Sequence, residues 1–194
     1  MQQISPDEAD ITGWALAAKT GDRTAAAAFV RATQHHVYRF LAHLVNAQEA
    51  EDLAQETYLR AMRALPRFAA RSSAKTWLLA IARRVAADHV RSAAARPRTA
   101  VLSDWEAAAE AAQARRGGGF EDGVLLRELL DALPADRREA FVATQIVGLS
   151  YAEAAEVCDC PVGTIRSRVA RAREDLVVAL DGRGRAGRGL RATS

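Results

Sequence analysis

The chain has 194 residues, is 49% hydrophobic and 26% charged, and carries a formal net charge of +3. That length holds one large or two small domains. No apolar run approaches the roughly 20 residues of a membrane span, and two cysteines, Cys158 and Cys160, cannot build a disulfide framework. Alanine supplies much of the apolar count, which favours helix over strand. The first residues, MQQISPDEADITGW, are acidic and lack the basic and apolar blocks of a secretory signal. A cytoplasmic protein without membrane insertion is expected.

The net charge conceals alternating blocks. Residues 1–59 sum to −4, 60–98 to +9, 99–159 to −7 and 160–194 to +5. Residues 60–98 hold ten basic side chains and one acidic. Two basic blocks divided by an acidic one point to two separate polyanion contacts.

In chain order, residues 1–13 read as frayed, and a short helix starts near Trp14 and breaks at Gly21-Asp22. Over 25–45 the apolar positions Phe29, Val30, Val37, Phe40, Leu41, Leu44 and Val45 recur with helical period. His35, His36 and Arg39 fall mostly on the other side, as helix surface. Asn46, with Glu49 three residues on, can cap a helix over 47–65. Leu53, Thr57, Ala61, Met62 and Leu65 form its inner stripe, and Pro66 ends it. Glu49, Glu51, Asp52 and Glu56 crowd its first half. The helix dipole favours carboxylates only in the first turn or so, and the rest also fit a plain solvated face.

A basic loop of small residues, 67–73, leads to Ser73, a cap for a third long helix over 74–94. Trp77, Leu78, Ile81, Val85 and Val90 are its apolar stripe, and Lys75, Arg83, Arg84 and Arg91 its basic exterior. From Arg96 to Asp122 the periodicity fades, and Gly117-Gly118-Gly119 reads as linker. Trp105 stands out there as a side chain that could dock on something.

Order returns at Gly123. Val124, Leu125, Leu129 and Leu133 mark a helix stopped by Pro134. Asp136 starts another with Ala140, Phe141, Thr144 and Ile146 inward, ending at Gly148. Ser150 and Glu153 then form a capping box for a short helix whose inner face is Ala154, Ala155 and Val157. Cys158-Asp159-Cys160 breaks the pattern, and Pro161 suits the first turn of a new helix. In that helix Val162, Ile165, Val169, Ala172 and Leu176 make one buried stripe, with Arg166, Ser167, Arg168, Arg171 and Arg173 around the rest. Two helices, a tight turn and a basic second helix describe a helix-turn-helix, whose second helix enters the DNA major groove. The Gly/Arg-rich tail from Asp181 reads as disordered.

The histidines do not join the cysteines in a ligand-spaced set, so packing in the turn is the expected role of the thiols and no metal is expected. No Ser/His/Asp, Cys/His or phosphate-loop set is present. No catalytic residue and no cofactor are expected.

Two stretches match one family in order. EDLAQETYLRAMRALPRF followed by SSAKTWLLAIARRVAADHVR resembles the second conserved region of bacterial sigma factors, and LPADRREAFVATQIVGLSYAEAAEVCDCPVGTIRSRVARARE resembles the fourth. With only a linker between them, the layout is similar to the extracytoplasmic-function group of the sigma-70 family. The resemblance implies an all-α fold of two small helical domains joined by a flexible linker. Residues 1–98 would form the region 2 domain, 99–122 the linker, 123–180 the region 4 domain with its helix-turn-helix, and 181–194 a disordered basic tail.

It also implies a subunit that binds core RNA polymerase, through the β′ clamp helices and the β flap, recognises promoter DNA and helps open it. Asp52, Gln55 and Glu56 match the clamp-docking helix. The loop before Ala74 and Lys75, Trp77, Arg83, Arg84, Ala87, Asp88 and Arg91 match the reader of the minus-ten element. Arg166, Ser167, Arg168 and Arg171 match the minus-thirty-five recognition helix. Anti-sigma inhibitors are common in the family. Ala74, Ala80 and Arg84 depart from the family pattern within the minus-ten reader, and Met62 replaces a common tryptophan as an expected core swap. The competing readings are an operator-binding regulator that is not a polymerase subunit and a protein-binding helical module. Neither needs both the acidic helix and the basic block.

Overall fold

The computed structural model describes residues 7–95 and 121–189, and those residues form helices and turns with no strand among them. The linker with Trp105 lies outside the described residues. The first helix, α1 (Glu8–Lys19), starts earlier than its sequence suggests. Asp7 accepts from the Asp10 N–H at 2.8 Å, and the Asp10 carboxylate accepts from the Asp7 N–H at 3.4 Å. This is a capping box made of two aspartates, and it orders residues expected to be frayed. Ile11 and Ala15 are buried.

Gly21, at φ +99°, turns the chain, and Asp22 caps α2 (Arg23–Leu44) by accepting from Thr24 and Ala25. Phe29, Val37, Phe40 and Leu41 are buried on α2. So is Thr33, whose hydroxyl meets the Phe29 carbonyl at 2.7 Å and the Tyr58 hydroxyl at 2.8 Å. Asn46 caps α3 (Ala47–Ala64) by accepting from the Glu49 N–H at 2.8 Å. Pro66 sits in a 3-10 turn, Leu65–Arg67, that follows α3. Met62 is only half-buried, on the rim of the core.

Ser73 accepts from the Thr76 N–H at 3.1 Å to open α4 (Ala74–Ala95). This helix buries Leu79, Ala82 and Ala86 as well as Leu78, Ile81 and Val85, because α2 and α3 cover it on one side and α7 on the other. Burial on α4 stops at Ala86, so Val90, expected inward, is 53% exposed.

The second unit comprises α5 (Glu121–Asp131), α6 (Ala135–Phe141), a π-helical turn (Val142–Ile146), α7 (Tyr151–Cys158) and α8 (Val162–Gly189). In the π turn the Val147 N–H reaches the Val142 carbonyl at 2.9 Å. The extra residue rotates the inward face. Val142, Ala143 and Val147 are therefore buried, while Phe141 and Ile146, expected inward, are only half-buried. The helix α8 continues through Gly189, where a disordered tail was expected from Asp181. Once a helix is nucleated, each further residue adds a backbone bond, and this offsets part of the glycine cost.

The two units share one continuous apolar cluster. The Thr76 hydroxyl donates to Glu153 at 3.2 Å, and Arg83 Nε donates to Glu139 at 2.8 Å. Arg127 donates to the carbonyls of Ala42 and Val45, which the end of α2 leaves without helical partners.

The capping box at α7 carries a pH dependence. Ser150 Oγ accepts from the Glu153 N–H at 3.2 Å, and the Glu153 carboxylate accepts from the Ser150 N–H at 2.8 Å. Burial alone would raise the Glu153 pKa. The Ser150 side-chain and backbone bonds and the Lys75 charge outweigh it and hold the carboxyl below its ordinary value of 4.5. A depressed carboxyl contributes stability that is complete above its ordinary range and is lost as pH falls through the folded value. Ser150→Ala should cost about 0.5–2 kcal/mol at neutral pH. Urea midpoints measured down to acid pH should show that gap closing as Glu153 protonates, and a gap that stays constant would exclude the coupling.

Candidate nucleic-acid interface

The turn between α7 and α8 is built by local chemistry. Asp159 takes a left-handed conformation at φ +51°, and the Cys160 N–H returns to the Ala155 carbonyl at 3.0 Å. This is the way helices commonly close their last carbonyls. The Pro161 carbonyl accepts from Thr164 at 2.9 Å and from Ile165 at 3.3 Å, so Pro161 stands just before α8 rather than inside its first turn. Cys158 is buried, and burial pushes its thiol up to about 12, which suits packing rather than reaction. Ile165, Val169 and Ala172 are buried beneath α8, whereas Val162, expected in that stripe, is 36% exposed.

The outward side of α8 divides its basic residues into two kinds. Arg166 and Arg171 are exposed and have no hydrogen-bond or ion-pair partner among the described residues. Ser167 is exposed and donates to the Thr164 carbonyl at 2.9 Å. Arg168 is half-buried, with Nε 3.1 Å from Asp136 and Nη1 3.7 Å from Cys160 Sγ. It braces α8 against α6 and is not a free cation. Arg173 donates to Gln145 at 2.8 Å.

The basic exterior expected of α4 is largely neutralised in the same way. Lys75 pairs with Glu8 of α1 and is 13% exposed. Arg83 pairs with Glu139. Asp88 lies between Arg60 at 2.6 Å and Arg91 at 2.5 Å, and both hold its carboxyl below the usual range. Ala87 is half-buried beside it. Arg84 alone among these four cations is exposed without a partner among the described residues. Trp77 is half-buried, its ring centroid 4.8 Å from that of Phe68. Ala74 is fully buried, and its N–H donates to Thr12 of α1. The preceding loop exposes Arg67 and Arg71, neither of them paired among the described residues.

On α3, Asp52 and Gln55 are exposed, while Glu56 is tied to Arg60 at 2.7 Å. Gln55 also lines an apolar groove of about 660 Å³ between α2 and α3, with Ala26, Val30, Tyr58, Leu59 and Met62. Leu59 is 54% exposed there. The sequence pattern passed over this groove because Ala26, Tyr58 and Leu59 fall off the core stripes, while Val30 and Met62 were counted as core. An apolar residue one step outside those stripes was the available signal.

Residues 29–96 match Sigma-70 region 2, and residues 123–176 match Sigma-70, region 4. The ECF RNA polymerase sigma factor SigC of Mycobacterium tuberculosis is 51% identical over 177 residues, covering 91% of this chain and 95% of that one. The chain belongs to the extracytoplasmic-function sigma factors of the sigma-70 family. The ECF RNA polymerase sigma-E factor of Salmonella typhimurium is 36% identical over 167 residues, covering 79% of this sigma factor and 85% of its own length. Among solved structures, CnrH in complex with the cytosolic domain of CnrY superposes with a TM-score of 0.68 at 26% identity, covering 91% of this chain and 99% of that one. RpoE from Bartonella quintana, in complex with the anti-sigma factor NepR, gives a TM-score of 0.62 at 27% identity, covering 78% and 94%. This sigma factor is a transcription initiation factor working with RNA polymerase, and the free-standing operator-binding regulator is not favoured.

Proposed function

We propose that the sigma factor divides its work among three surfaces. The face of α3 with Asp52, Gln55 and Glu56 docks on the β′ clamp helices, and the groove beside Gln55 receives apolar side chains there. The loop after α3 and the exposed side of α4, with Arg84 foremost, bind the opened minus-ten strand. Arg166, Ser167 and Arg171 on α8 meet the minus-thirty-five duplex. The observation that carries the assignment is the pair of exposed arginines on α8, without partners among the described residues and opposite a stripe committed to the core.

Residues 1–98 and 123–180 are the corresponding domains, with 99–122 as the connection between them. The β flap is a second polymerase contact, made by the region 4 domain. Opening DNA uses binding energy rather than covalent chemistry, so the role needs no catalytic residue, metal or cofactor. It is a cytoplasmic role, and among the described residues no helix is long and apolar enough to cross a membrane. An anti-sigma factor is a further expected partner, as NepR is for the Bartonella RpoE.

In vitro transcription with core polymerase and fragmented genomic DNA tests the reading as a whole. For the docking face, the double charge reversal Asp52→Lys and Glu56→Lys should weaken core binding with the fold intact. Each exposed pair is worth about 0.2–1 kcal/mol, so both changes are needed for a clear shift. The Glu56 change also releases Arg60. An unaltered pull-down titration of the folded double variant would remove the docking role from this face.

A further inference from the structure

Helix α1 lies outside the residues that match region 2, which begin at residue 29. It nevertheless makes three polar contacts with one short segment. Glu8 pairs with Lys75. Thr12 Oγ1 accepts from the Ala74 N–H at 3.1 Å. Lys19 Nζ donates to the Phe68 carbonyl at 2.8 Å. These residues are spaced by four and seven on α1, so they lie along one side of the helix. They meet residues 75, 74 and 68 in reverse order, and α1 therefore runs antiparallel along the loop.

The loop needs such support. No backbone hydrogen bond closes residues 69–72 among the described residues. Ala70 sits at φ +48°, a left-handed conformation that costs a residue with a Cβ about 1–2 kcal/mol. Conformations of this kind persist where the surroundings fix both ends. Here Phe68, buried against Trp77, and Ala74, fully buried, are the two anchors, and α1 ties the backbone of each. Between them Ala69, Ala70 and Arg71 are exposed.

We propose that Thr12 and Lys19 are positioning residues for base selection: α1 splints the loop 68–74 so that its exposed turn presents one fixed shape to the minus-ten strand. The proposal rests on the assignment of that loop to the minus-ten element. A splinted loop discriminates among bases because its pocket cannot adapt, whereas a loose loop accepts several bases with similar affinity. Loss of the splint therefore acts on discrimination rather than on the charge that attracts the strand.

The test uses the full chain bound to core polymerase and a pool of short single-stranded DNAs randomised at successive positions, selected and sequenced. Thr12→Val with Lys19→Met removes the acceptor and the donor while keeping side-chain shape. The preference between best and worst base should shrink by about tenfold, the scale of one lost base contact. Affinity for core polymerase and for a duplex carrying only an upstream element should stay unchanged. Thr12→Ser with Lys19→Arg should restore the preference. An unchanged preference, or a uniform loss that follows the unfolded fraction, overturns the splint. Arg67→Ala with Arg71→Ala separates the two layers. If that variant alters strand binding while Thr12→Val with Lys19→Met does not, the loop reads DNA without help from α1. If neither variant alters it, the assignment of the loop fails and the splint fails with it.

Discussion

Replacing Arg166 and Arg171 together with alanine is expected to remove upstream-element recognition while leaving the fold intact. Both side chains are exposed and partnerless among the described residues, so the free protein loses no packing. Each arginine has two distinguishable roles. An arginine that grips a phosphate contributes about 0.9 to the slope of log affinity against log salt, and its loss weakens all sequences alike. An arginine forked onto a guanine edge contributes about 1–3 kcal/mol, confined to duplexes with that base. Single variants titrated against matched and scrambled duplexes at several salt concentrations assign each residue. Arg168→Ala serves as the contrast, since that side chain is held by Asp136. It should alter stability modestly and leave the salt slope unchanged. If the Arg166 and Arg171 variants bind every duplex as the parent does, α8 is not the upstream reader.

The largest stability effect is expected from Phe40→Ala. Phe40 is fully buried in α2, and removing its ring should cost about 3–5 kcal/mol in lost transfer energy and cavity. That is a large share of the about 5–15 kcal/mol by which domains are stable. The apolar cluster runs through both units, so the loss should be felt as one transition. Indole fluorescence from Trp14 and Trp77 in the first unit and the far-UV signal of both units should shift together in urea. Two separated midpoints in the parent protein would show that the units unfold independently.

Sequence patterns were most legible where structure is local. The Asn46 and Ser150 caps, the stripe Ile165, Val169 and Ala172, and the tight turn before α8 all depend on neighbours within a few residues. The first turns of α1, ahead of Trp14, are hard to read because its capping box uses two aspartates, a weaker signature than serine with glutamate. The π turn hid the inward face of Val142 and Ala143 because it changes the period that pattern reading relies on. The basic exterior was overread for a different reason. Whether an arginine is free depends on carboxylates far along the chain, such as Glu139 for Arg83 and Asp136 for Arg168. A charge count carries no trace of those pairings.

The contact between α4 and α7 has a consequence on the scale of a promoter. About 25 base pairs separate the minus-ten and minus-thirty-five elements, or roughly 85 Å of duplex. α4 packs against α7, and α7 against α8, so the two surfaces proposed as readers sit side by side. For both to rest on their elements at once, Thr76 must leave Glu153, Arg83 must leave Glu139, and shared apolar surface must part. The apparent promoter affinity of the free chain is then its intrinsic affinity scaled by the fraction of molecules standing open. Any partner that holds the units apart raises that fraction without touching DNA.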